Sequence, residues 1–191
     1  MENQLGNTTK KRKFVLLTFL VVVGRAFDAT TTYLYTPDLT SETNVLVKFL
    51  GANWTSIIAV QVLLTGLIIG LLYFYFFKFS PHKPGVKNLT LKQYISHLYF
   101  NDTKSFNKLL YKLPTDKTVL IASTGYIASM TLMSISYIVG TSTTLLLLSD
   151  SYKQLYKQGI PYLLYLMIAG LAFWFTVHFF KTAYKKYQCE F

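Results

Sequence analysis

The sequence predicts an all-α, polytopic membrane protein with four transmembrane helices and two amphipathic interfacial helices in an inner loop. The chain of 191 residues is 52% hydrophobic and only 14% charged, whereas soluble domains average about 25% charged. Four apolar stretches each reach the roughly 20 residues that a helix needs to cross a hydrocarbon core. Basic residues concentrate in the segments that flank these stretches, as they do in the loops of membrane proteins.

The predicted spans cover residues 13–35, 54–79, 118–149 and 160–183. All four must be helical, because lipid offers the backbone no hydrogen-bond partners. The connections between them are too short for a soluble catalytic domain. Residues 1–191 are therefore predicted to form one domain, with any function in or beside the helix bundle.

The first span begins like a secretory signal peptide, because "KKRK" is followed by the apolar run "FVLLTFLVVVG". The apolar character resumes after Asp28 in "YLY", and no small-x-small cleavage site follows. We therefore expect a signal anchor that is retained as the first span.

The distribution of basic residues predicts the orientation. Fifteen Lys and Arg residues fall on the side of the N-terminus and three on the other side, so both termini and the inner loop should be cytoplasmic. The net charge of +11 favours contact with an anionic inner leaflet of the cell membrane. The basic residues are spread over three membrane-flanking segments, and we expect no nucleic-acid binding.

The inner loop, residues 80–117, shows two helical patterns. After the breaker run "SPHKPG", Thr90 opens the capping box "TLKQ", and apolar residues at helical spacing predict an amphipathic helix at residues 90–100. A similar pattern predicts a second helix at residues 103–112. The two helices either lie on the inner leaflet or, at residues 88–113, form a docking surface for a cytosolic protein.

Small residues predict where the membrane helices pack. The second span contains Gly66-x-x-x-Gly70, and the third carries Ser129, Ser136 and Thr143 at intervals of seven. The seam of Ser129, Ser136 and Thr143 either packs against other helices or lines a pore, and packing is the favoured interpretation.

A short internal match hints at a duplication. "TTYLYTPD" at residues 31–38 and "TTLLLLSD" at residues 143–150 share both threonines, a leucine and the aspartate. A duplication predicts two helical hairpins of parallel orientation. Threonine is common in this chain, so a chance match is the alternative.

The polar centre of the sequence lies near the end of the first span. Arg25 and Asp28 are three residues apart and share a helix face, and Thr31 and Thr32 follow them. A charge at mid-membrane costs at least about 2.5 kcal/mol, so ionisable residues in spans usually mark functional sites. The alternative is an internal ion pair that only fixes helix packing.

Two more polar residues, Glu42 and Asn44, follow in the next loop and could complete an ion or substrate site from the outer side. Carboxylate, hydroxyl and amide oxygens suit hard cations. If a metal binds, Asp28 and Glu42 are its candidate ligands; otherwise no cofactor is expected.

At these residues the sequence resembles an uncharacterised family, a domain of unknown function, of small polytopic prokaryotic membrane proteins. The family has Asp-x-x-Thr in one helix and Glu-x-Asn before the next, matched here by Asp28, Thr31, Glu42 and Asn44. It usually has proline next, where this sequence has Val45. The resemblance covers the first two spans and implies a shared polar centre in a prokaryotic inner membrane, without a named activity.

Three classes of function follow from these observations. The favoured class is an oligomeric channel or transporter component with its polar site at Arg25 and Asp28; four spans per chain lead us to expect a homo-oligomer. The second is a non-catalytic membrane subunit that recruits a cytosolic protein through the inner loop. The third is an intramembrane enzyme acting on lipid, for which the sequence offers no nucleophile motif or histidine pair.

Overall fold

The computed structural model describes residues 2–39, 53–80 and 84–189, and regular structure over these residues is entirely helical. A π-helical turn, Phe74–Lys78, extends the second helix, and a short 3-10 helix, Phe106–Leu110, follows the third. The α-helices are α1 (Glu2–Tyr35), α2 (Trp54–Tyr73), α3 (Leu91–Phe100), α4 (Lys117–Leu148), α5 (Asp150–Lys157) and α6 (Ile160–Cys189).

Four of these helices, α1, α2 with its π-helical turn, α4 and α6, are long and apolar enough to cross a membrane, which confirms the four predicted spans. They expose large apolar side chains that a water-soluble surface would not carry in such number. Phe19, Leu63 and Leu166, for example, are 61%, 73% and 72% exposed. The protein is therefore an all-helical membrane protein.

The central helix of the bundle is α4, which packs along α1, α2 and α6. Its small residues permit this close packing. A Cβ atom added to Gly125 would overlap the backbone of α2, lying 2.5 Å from the carbonyl carbon of Leu71. Close backbone approach at small residues is the usual way in which membrane helices associate.

The helices α1 and α4 run parallel and pack side by side. Gly24 lies against Ser136, and Asp28 lies against Gly140. Both pairs have the same separation along the chain as the repeated "TT" dipeptides. Two related hairpins would also have parallel first helices, but the first and third spans of any four-span chain run parallel, so the duplication stays a hypothesis.

The Gly66-x-x-x-Gly70 motif does not pack as expected within the described part of the chain. Both glycines are exposed, and a Cβ atom on either would meet nothing within 4 Å. The close contact of α2 with α4 is made instead at Leu71 and Gly125. A small-residue motif shows where a helix can be approached, but it does not select the partner.

One end of the bundle carries the start of α1, the ends of α2 and α6, and α3; we call it the basic end.

The helix α3 begins at the predicted capping box. The Thr90 hydroxyl accepts a hydrogen bond from the Gln93 N–H at 3.4 Å, and the Gln93 side chain accepts one from the Thr90 N–H at 2.9 Å. Two otherwise unpaired donors are thereby satisfied.

The apolar face of α3 packs against α4 and α6 of the same chain, whereas the prediction had it facing the membrane surface. Tyr94, Leu98 and Tyr99 are buried in a cluster with side chains of α4 and α6. Two tyrosines of α6 hold the preceding loop in place: the hydroxyl of Tyr184 donates to the carbonyl of Leu89 at 2.7 Å, and that of Tyr187 accepts from the Leu89 N–H at 3.1 Å. Distant side chains therefore decide where α3 lies.

The α-helix predicted at residues 103–112 is wrong, because the structure has only the five-residue 3-10 helix Phe106–Leu110 there. A hydrogen-bonded turn precedes it. The Ser105 N–H donates to the Ser96 hydroxyl at 2.8 Å, and the Ser105 hydroxyl donates to Asp102. Short polar side chains that bond nearby backbone compete with helix formation.

Candidate functional site

The two charged residues predicted to form the polar centre lie in contact on α1. Nη1 of Arg25 donates to Oδ2 of Asp28 at 2.7 Å, and their side chains are 18% and 13% exposed. The three-residue spacing on a helix explains the contact. The pair is therefore mostly shielded, and each charge compensates the other.

A serine of α4 connects this pair to the centre of the bundle. Nη1 of Arg25 also donates to the hydroxyl of Ser136 at 3.3 Å. Ser136 is fully buried, and its hydroxyl donates to the carbonyl of Leu132 at 2.8 Å. Among the described residues, both hydrogen bonds of the Arg25 guanidinium use the same nitrogen, which leaves the donors of Nε and Nη2 for other partners.

Gly140 of α4 makes room for the acidic member of the pair. A Cβ atom on Gly140 would lie 2.6 Å from the ring of Phe27 and 3.3 Å from the Cα of Asp28. Any larger residue would displace the aromatic ring or the α1 backbone. The glycine thus sets the distance between α1 and α4 at the level of the charged pair.

The pair forms part of the wall of a cavity of about 340 Å³ in the half of the bundle opposite the basic end. The cavity lies between α1, α2, α4 and the α5–α6 hairpin. Its apolar walls include Ile57, Val139 and Leu164. Its polar lining consists of Arg25, Asp28, Thr32, Gln61, Tyr156 and Tyr165.

An aromatic contact joins the ends of α1 and α2 beside this cavity. The indole N–H of Trp54 donates to the carbonyl of Pro37 at 2.8 Å. The rings of Tyr33 and Trp54 meet edge to face, with centroids 5.3 Å apart. Trp54 also lines the cavity, so these contacts hold one of its walls in position.

The other predicted site residues differ in their relation to the cavity. Thr32 lines the cavity with the charged pair, whereas Thr31 is buried and its hydroxyl donates to the carbonyl of Phe27 at 3.0 Å. Glu42 and Asn44 lie outside the described residues. Their convergence on the site therefore stays a prediction.

The hydroxyl seam of α4 is buried and engaged with its own helix. Each hydroxyl donates to the carbonyl four residues earlier, a common arrangement for Ser and Thr in membrane helices. These bonds run from Ser129 to Gly125, from Ser136 to Leu132 and from Thr143 to Val139, at 2.7, 2.8 and 2.9 Å. The three side chains are 1%, 0% and 8% exposed, and this burial fits the packing interpretation of the seam.

Three polar residues of the cavity were not predicted from the sequence. Gln61 carried a usable signal, because an amide inside the apolar run "IIAVQVLL" is costly in lipid and usually faces the bundle interior. Tyr156 and Tyr165 carried none, since the chain has 15 tyrosines and nothing local distinguishes these two.

The described parts of the chain contain no group of three or more His, Cys, Asp or Glu side chains that could hold a metal ion. The candidate site at Arg25 and Asp28 is therefore identified from the geometry of the pair and its cavity.

Compared with known proteins, the chain matches no family model, no curated protein and no solved structure.

Proposed function

We propose that this protein is a transporter component that binds a small polar solute in the cavity beside Arg25 and Asp28. The observation that carries the proposal is an ion pair, less than one-fifth exposed, in the wall of a cavity of about 340 Å³ between membrane-spanning helices. Ionisable residues within spans usually mark solute or ion pathways. Because the pair lines the cavity, both of its side chains are placed to contact a bound solute.

The lining carries one positive and one negative side chain, Arg25 and Asp28, and so suits a solute that offers an anionic group to Arg25 and a cationic or neutral group to Asp28. The guanidinium donors on Nε and Nη2 of Arg25 are suited to a carboxylate or a phosphate. Thr32 and Gln61 supply neutral hydrogen-bonding groups at the same cavity. A site built from few polar groups on apolar walls is typical of small-molecule pockets.

Flux measurements on the purified protein in liposomes test this proposal. We expect the wild-type protein to accelerate the entry of at least one of alanine, lactate, phosphate and choline over protein-free liposomes, with an anionic or zwitterionic solute favoured over choline. Rates equal to those of protein-free liposomes for all four solutes would contradict the transport proposal.

The orientation forms a separate part of the proposal. We place both termini and residues 80–117 on the cytoplasmic side of a prokaryotic inner membrane, because fifteen basic residues lie there against three on the other side. In a Cys189→Ser background, a membrane-impermeant thiol reagent added to intact cells should label Asp150→Cys and leave Asn88→Cys unlabelled. External labelling at Asn88→Cys would show that the orientation is reversed.

A further inference from the structure

A groove with a volume of about 600 Å³ lies at the basic end, where α1, α4 and α6 meet the π-helical turn that follows α2. We call it the basic-end groove. It is separate from the cavity at Arg25 and Asp28, since the two share no lining residue. Its lining includes Lys10 and Lys13 of α1, Tyr126 and Met130 of α4, and Thr182 and Lys186 of α6.

The mouth of the groove is positively charged. Lys10, Lys13 and Lys186 line it and are exposed, and no acidic side chain of the described residues lines it with them. The three ammonium groups come from two helices at opposite ends of the sequence. Three cations that line one groove, with no acidic side chain beside them in the described part of the chain, favour an anionic ligand.

With depth, the lining contributed by α6 changes from the Lys186 ammonium group to the Thr182 hydroxyl and the His178 imidazole, and α1 and α4 add apolar side chains. Thr182 is one helical turn deeper than Lys186, and His178 is one turn deeper again, about 12 Å from the lysine along the helix axis. Leu17 and Met130 form apolar lining from α1 and α4. This order of groups matches a phosphate headgroup, its ester region and an acyl chain.

An aromatic wall shapes the inner part of the groove. Tyr75 belongs to the π-helical turn that follows α2, which is closed by a hydrogen bond of 2.9 Å from the Phe79 N–H to the Phe74 carbonyl. The Tyr75 ring packs against Tyr126 and Phe179 at centroid distances of 5.1 and 5.9 Å. These ring contacts hold Tyr75 in the wall of the groove.

We propose that the basic-end groove binds one anionic phospholipid, with its phosphate at Lys10, Lys13 and Lys186 and an acyl chain along Leu17 and Met130. The three lysines favour a phosphate group. The apolar side chains deeper in the groove favour a lipid over free phosphate, because only a lipid has an acyl chain to contact them. A second copy of the chain is disfavoured as the occupant, since its own basic end would repel the three lysines. The site is defined by a groove and so differs from general attraction to an anionic bilayer.

Native mass spectrometry of the full-length protein in a non-ionic detergent tests the site. Phosphatidylglycerol and phosphatidylcholine of equal chain length are the probes. We expect one phosphatidylglycerol per chain to be retained in preference to phosphatidylcholine. Lys10→Gln/Lys13→Gln/Lys186→Gln should weaken phosphatidylglycerol binding by at least about tenfold, since each basic residue near a lipid phosphate strengthens the attraction.

A matched control removes the same net charge elsewhere. Lys92, Lys112 and Lys185 are exposed and do not line the groove, so replacing all three with Gln should leave phosphatidylglycerol binding unchanged. Thr182→Trp, which fills the groove without changing charge, should abolish it. Equal weakening in both triple variants, equal retention of phosphatidylcholine, undiminished binding by Thr182→Trp, or displacement of the lipid by an equal concentration of inorganic phosphate would each overturn the proposal.

Discussion

The free energy of unfolding of the Asp28→Asn variant is expected to be about 3 kcal/mol lower than that of the wild-type protein. The substitution leaves the Arg25 guanidinium, 18% exposed, without its carboxylate partner at 2.7 Å. Removing one member of a shielded ion pair costs about 3–5 kcal/mol, and the partial exposure of this pair to the cavity places it at the lower end. Equilibrium unfolding in mixed detergent micelles, with helicity as the signal, measures the difference.

The double variant Arg25→Gln/Asp28→Asn serves as the control for this prediction. It removes both charges, so neither member of the pair is left as a charged residue without the other, and its loss should be smaller than that of Asp28→Asn. If the loss of the double variant relative to the wild-type protein equals the summed losses of Arg25→Gln and Asp28→Asn alone, the two residues do not act as a pair.

The Gly125→Ala variant is expected to lose about 3 kcal/mol, the upper part of the usual range for overpacking. The added methyl group would overlap the carbonyl group of Leu71, which belongs to the α2 backbone and cannot rotate away as a side chain can. The helices α2 and α4 would therefore have to separate along their contact. The same unfolding measurement gives the size of the effect.

Gly170→Ala is the matched control, because a Cβ atom there meets nothing within 4 Å on the exposed face of α6. Replacing an exposed helical glycine with alanine should stabilise the helix by up to about 1 kcal/mol. Similar losses in the two variants would mean that the contact between Gly125 and Leu71 does not hold α2 against α4.

The spans were predictable because the signal for them is local. Length and hydropathy within each apolar run determine whether it can cross a membrane, and the start of α3 follows from the capping residues Thr90 and Gln93. The contact of Arg25 with Asp28 was predictable for the same reason, since it depends only on a three-residue spacing in one helix.

The remaining features depend on contacts between distant parts of the chain. The burial of α3 depends on Tyr184 and Tyr187 of α6, and a hydrophobic pattern alone does not distinguish a face covered by lipid from one covered by protein. The bond from Arg25 to Ser136 and the position of Tyr165 in the cavity require the packing of three helices to be known. No local sequence pattern indicates the hydrogen bond from Arg25 to Ser136 or the position of Tyr165.

The most direct test of the central claim compares solute flux through the wild-type protein and the Arg25→Gln/Asp28→Asn variant in liposomes, at equal protein content and with helicity confirmed for both. The claim is that the charged pair contributes the solute site and not only helix packing. We predict that the double variant is folded but carries none of the solutes that the wild-type protein carries. Flux of the same solute at the wild-type rate through the folded double variant would contradict the claim and reduce the pair to a packing contact.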